Sequence, residues 1–129
     1  MWQKDAQEAQ LSPLELEVMR VLWESAELDA KEVRERLLSE RDLTDSTVRT
    51  LLRRVEAKGF AGHRKEGRRF LYRATQTSDS AATDEVAGIV RRFYEGSVRQ
   101  LLVGMVGEGM VDAKQLRELS EAIERSERE

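Results

Sequence analysis

The 129-residue chain contains no cysteine. Disulfides, thiol redox sensing and Cys-ligated zinc or copper are therefore excluded. Histidine occurs once, at His63, which cannot form a metal cluster alone. No apolar run approaches the ~18–20 residues of a membrane span, and no signal-peptide core is visible. Glycine-rich phosphate loops and metalloenzyme spacings are missing as well. These absences lead us to expect a cytoplasmic protein that is not an enzyme, uses no metal or cofactor, and makes no membrane contact. Proline occurs once, at Pro13, and aromatics make up only 5% of the residues. That composition suits a helical protein with a modest core. So small a chain gains stability by pairing with a second copy.

Net charge is −3, yet the charges are segregated. Residues 1–43 are net −5 and residues 74–129 net −4. Between them, residues 44–73 carry nine Lys/Arg against three Asp/Glu, net +6. Phosphate attraction acts within a Debye length of roughly 8–10 Å, so the local block matters more than the total.

Residues 1–10 are polar and unpatterned, and are expected to form a flexible tail. Ser12, Pro13 and Glu15 announce a first helix with a capping box, and Leu14, Val18, Val21 and Leu22 form its apolar face. Asp29 and Glu32 repeat the box before Val33, Leu37 and Leu38. Leu28 is placed for a short strand beside a later hairpin. A third helix runs over Thr44–Lys58, with Val48, Leu51, Leu52 and Val55 inward and Gly59 free to take a left-handed C′ position. Two arms, Phe60–Lys65 and Arg68–Arg73, then flank Glu66-Gly67 as a hairpin. Small polar residues over 74–83 suggest a joint. Three helical patterns follow, the last announced by an Asp112/Gln115 capping box.

Three helices and a basic hairpin within about 65 residues form the winged helix-turn-helix order. The expected fold is mostly α with a small β wing: a DNA-binding module over 11–74, then a three-helix dimerisation region over 75–129. Turning the apolar stripe of the third helix inward leaves Ser46, Thr47, Arg49, Thr50, Arg53 and Arg54 outside. Arginine can fork onto guanine or phosphate, and threonine can offer a hydroxyl or touch a thymine methyl. Asp45 can accept from a cytosine or simply favour the helix N-terminus. In the wing, His63, Arg64, Lys65, Arg68 and Arg69 are candidate phosphate contacts. A charged edge hairpin shielded from aggregation would look similar. Phe70 and Tyr72 read as core residues rather than base-stacking platforms.

These segments resemble the penicillinase-repressor family of BlaI- and MecI-type regulators. The likeness begins at Leu11-Ser12-Pro13-Leu14-Glu15-Leu16-Glu17-Val18-Met19 and continues through Leu22-Trp23-Glu24, Ala30-Lys31-Glu32-Val33 and Thr44–Val55. Its most specific stretch is the wing, Lys65-Glu66-Gly67-Arg68-Arg69-Phe70-Leu71-Tyr72. The resemblance implies a homodimeric repressor of near-palindromic double-stranded operators. Thr47, Thr50 and Arg54 would face the groove, with Arg49, Lys65 and Arg68 toward the backbone. Ser46 departs from the Lys common in relatives, which bears on operator preference. Some relatives are inactivated when a membrane sensor triggers cleavage of an Asn-Phe bond in the dimerisation region. Gly104-Met105 stands there instead, which weakens a sensor-linked protease as a partner. The Cys-rich copper-responsive tail is absent.

The apolar residues Ile89, Phe93, Val98, Leu101, Leu102, Met105, Leu116, Leu119 and Ile123 exceed what three short helices can bury, so a second copy is expected over them. Release would follow from weakening that pairing, for example by cleavage between residues 96 and 110. The alternatives are a winged-helix regulator sensing a small molecule, and a winged helix used only for protein contacts.

Overall fold

The computed structural model describes residues 10–128, so the expected tail lies outside the described residues except for Gln10. Six helices and one two-stranded antiparallel sheet occur among them. The order is α1 (Pro13–Trp23), α2 (Ala30–Leu37), α3 (Asp45–Ala57), β1 (Ala61–Glu66), β2 (Arg69–Ala74), α4 (Ser78–Tyr94), α5 (Val98–Gly107) and α6 (Ala113–Arg128). The chain divides into two compact units, residues 1–86 and 87–129.

Local chemistry sets the helix starts. Ser12 and Asp29 each accept the N3 amide, and Glu15 and Glu32 return to the cap amides, so both expected boxes form. Thr44 caps α3 by accepting the Thr47 amide at 3.1 Å. Replacing Thr44 with alanine is expected to cost about 1 kcal/mol, read as a lower Tm of the purified protein. Gly59, at φ +90°, ends the helix in the left-handed region as expected.

The inward faces of α1–α3 meet in one core. Val18, Met19, Leu22, Val33, Val48, Leu52, Val55 and Phe60 are almost wholly buried there. The hairpin joins this core through Ala61 and Tyr72. Leu28 forms the expected third strand position as an isolated bridge: its amide donates to the Tyr72 carbonyl at 3.0 Å and its carbonyl accepts the Tyr72 amide at 2.8 Å.

Two local details differ from expectation. The hairpin turn falls one residue later, at Gly67-Arg68, because Gly67 with φ +62° occupies the first central position. Residues 78–83 are also helical rather than a joint. The Thr77 hydroxyl accepts the Ser80 amide at 3.0 Å, and Ala81 is buried in the core, so a polar-looking segment gains both a cap and an anchor.

In the second unit the three expected apolar segments are helical, and Asp112 and Gln115 cap α6 reciprocally at 2.8 and 2.9 Å. Gly104 lets α5 approach the α4 end closely, since a Cβ there would sit 3.3 Å from the Tyr94 hydroxyl. Neither α5 nor α6 contains a buried residue.

Candidate nucleic-acid interface

The exposed side of α3 and the wing carry the basic block. Ser46, Arg49, Arg53 and Arg54 are exposed on α3, while Thr47 and Thr50 are half-buried beside them. Thr47 is tied to the helix start, its Oγ1 accepting from the Thr44 hydroxyl at 2.9 Å. Thr50 donates its hydroxyl to the Ser46 carbonyl at 3.0 Å and accepts from Arg53 at 3.4 Å. That arrangement commits the Thr50 hydroxyl proton to the helix backbone. Asp45 pairs with Arg34 at 3.5 Å, while the Arg34 Nε donates to the Leu43 carbonyl at 2.7 Å. Asp45 therefore serves the helix start, and Arg34, which sequence reading missed, ties α2 to the turn before α3.

A cleft of about 820 Å³ lies between α3, the wing and the start of α2. Arg49, Arg53, His63, Arg68 and Arg69 line it together with Lys31, Asp29 and Glu56. Five arginine and histidine side chains from both expected contact elements thus converge on one groove. His63 joins the two elements: its Nδ1 is 2.7 Å from Glu56 on α3. Its ring lies 5.1 Å from Phe70 and 5.2 Å from Tyr72. Tyr72 is buried, as expected, and burial, with Glu56 close by, raises its phenol above the ordinary value. Phe70, expected in the core, is 49% exposed. It pairs with Lys65 near the wing tip, where β2 has passed the end of the core.

The cations divide into two kinds. Arg49, Arg54, Lys65 and Arg68 make no ion pair among the described residues. Arg64 instead forks onto Glu27 at 2.7 and 3.0 Å and also reaches Glu66 at 2.9 Å. Arg69 reaches Asp29 and Glu32, each at 2.9 Å. The Arg64 hydrogen bond holds the Glu27 carboxyl below its ordinary range. Burial pushes Asp29 up, but the Glu32 amide and Arg69 more than offset it, so its net shift is downward.

The family described as penicillinase repressor matches residues 11–125. The chain belongs to that family. As a penicillinase-repressor family member it is a repressor and not an enzyme. It is 31% identical over 117 residues to the penicillinase repressor of Bacillus licheniformis, covering 89% of this chain and 90% of that one. It is 24% identical to the methicillin resistance regulatory protein MecI of Staphylococcus aureus strain N315, covering 85% of this chain and 89% of the relative. The solution structure of the DNA-binding domain of the repressor BlaI aligns at a TM-score of 0.51 and 34% identity, over 60% of this chain and 90% of that one. The expected winged-helix fold of the family is therefore present, and no described helix is long and apolar enough to cross a membrane.

Proposed function

We propose that this penicillinase-repressor family member silences transcription as a homodimer bound to double-stranded operator DNA. In this reading α3 lies in the major groove and the wing follows the sugar-phosphate backbone. Residues 11–74 form the reading module and residues 75–129 the pairing region. One observation carries the proposal: unpaired cations from two separate elements, Arg49 and Arg54 on α3 and Lys65 and Arg68 on the wing, accompany a groove lined by arginines. An ordinary solvated face would mix charge signs, and the α3 face has no acid between Asp45 and Glu56.

Thr50 and Arg54 are the candidate base readers, with Thr47 beside them. Replacing either Thr50 or Arg54 with alanine should shift discrimination between a bound sequence and its single-base variants by about 1–3 kcal/mol. Selection of bound genomic fragments by purified protein, followed by titration on those variants, measures this. Unaltered discrimination in both variants would refute the groove assignment.

Pairing through the second unit is supported by its surface. Ile89, Phe93, Val98, Leu102, Leu119 and Ile123 are all exposed, and Leu101, Met105 and Leu116 only half-buried. Val103, Val106 and Met110 add to the exposed apolar residues. So much apolar surface marks an interaction site, and a second copy gives each half-site its own reading module. Release follows from any event that breaks the pair, including cleavage by a sensor-linked protease between residues 96 and 110. Gly104-Met105 lies inside α5, so a protease needing extended chain would have to open that helix first.

A further inference from the structure

The wing arginines are committed unequally. Arg64 and Arg69 span 37 and 40 residues of sequence to reach Glu27 and Asp29, at the head of α2. The acceptors of Arg69 are already oriented. One oxygen of Asp29 accepts the Glu32 amide at 2.8 Å while the other takes Arg69. Glu32 Oε1 accepts both the Asp29 amide at 3.0 Å and Arg69 at 2.9 Å. The α2 capping box is thus also a carboxylate ledge under the wing. A two-stranded ribbon is marginal alone. The Leu28–Tyr72 bridge and the core secure its base, while residues 62–70 beyond them are exposed or half-buried. The ledge is where an outer fastening acts. An arginine already neutralised by a carboxylate also adds little net charge toward a phosphate.

We propose that Arg64 and Arg69 are positioning residues that clamp the wing to Glu27, Asp29 and Glu32, leaving Lys65 and Arg68 as the wing's phosphate-contacting cations. The second clause rests on the DNA-docking reading; the first does not. The clamp narrows the wing's freedom before binding, so DNA binding orders less chain. It also masks an acidic ledge that would otherwise face the nucleic acid.

The test measures dissociation constants against salt on a labelled duplex of arbitrary sequence for the wild type, Arg64→Gln, Arg69→Gln, Lys65→Gln, Arg68→Gln and Glu27→Gln. Amide hydrogen exchange over the wing is followed in the free proteins. Lys65→Gln and Arg68→Gln should each lower the salt slope by about 0.9. Arg64→Gln and Arg69→Gln should keep the wild-type slope, weaken binding about three- to tenfold and speed wing exchange, whereas Glu27→Gln should speed wing exchange without lowering the slope. Glu27→Gln added to Arg64→Gln should weaken binding little further, because the same pair is already lost. The inference is overturned if Arg64→Gln and Arg69→Gln lose slope as Arg68→Gln does. It is equally overturned if wing exchange is unchanged in Arg64→Gln, Arg69→Gln and Glu27→Gln. A wild type that lacks salt-dependent binding would refute the DNA-docking reading instead, and the exchange rates would still decide the clamp.

Discussion

Replacing Lys58 with methionine should destabilise the first unit by about 3–5 kcal/mol, the cost of stranding a buried charge. Glu15 is only 2% exposed, yet its carboxylate is held at 2.6 Å by the Lys58 ammonium and at 2.9 Å by the Ser12 amide. Lys58 also donates to the Gln10 carbonyl at 2.7 Å. The pair fastens the first turn of α1 to the end of α3, so it helps hold α3 in place. For a unit of this size the loss corresponds to a fall in Tm of roughly 10 °C or more. Adding Glu15→Gln should restore much of the stability, because glutamine keeps the capping box and removes the stranded charge. A single variant within about 1 kcal/mol of wild type in urea unfolding would contradict this account.

The same pair fixes a pH response. Burial raises the Glu15 pKa, but the Lys58 and Ser12 hydrogen bonds and the Lys58 charge more than offset it, leaving it below the ordinary 4.5. Between the folded and unfolded values the unfolded chain binds more protons, so stability rises with pH there. This contribution is complete above about pH 4.5 and fades as pH falls through the lower folded value. Acid unfolding of the Glu15→Gln, Lys58→Met double variant should lack this component.

The second large effect concerns pairing. If the second unit pairs two copies as proposed, substituting Leu119 and Ile123 together with glutamate should give monomers, because charge would be placed in the proposed apolar contact. The two residues lie four apart on α6 and are 56% and 48% exposed, so the single chain loses little by the change. DNA affinity should then fall about 10²- to 10⁴-fold, since the second half-site is no longer presented at high effective concentration. Sedimentation velocity reads the first outcome and operator titration the second. A variant that remains dimeric would remove α6 from the interface. Monomers that bind as tightly as wild type would remove bivalence from the mechanism.

Much of the fold was legible in the chain because its signals are local. Ser12/Glu15, Asp29/Glu32 and Asp112/Gln115 act across three residues, and all three boxes form. The Val48, Leu51, Leu52, Val55 face is buried as its spacing requires. Thr77 was harder to read: its cap is weakly signalled in a Ser/Thr-rich run, and the burial of Ala81 that anchors the helix depends on packing. Phe70 failed for a related reason. Its residue type fits a core, but its place near the wing tip lies past the core's edge.

The sequence by itself determined the starts of α1, α2, α3 and α6, the inward faces of α1–α3 and the wing, because each is written within a turn or a strand, and summing charge along the chain located the +6 block. Only the tertiary structure decided which charges remain available. Lys58, Arg64 and Arg69 look alike in the chain to Arg54, Lys65 and Arg68, yet the first three meet carboxylates 37 to 43 residues away. Charge sign is a property of a residue, whereas an ion pair is a property of two backbones brought together by a core.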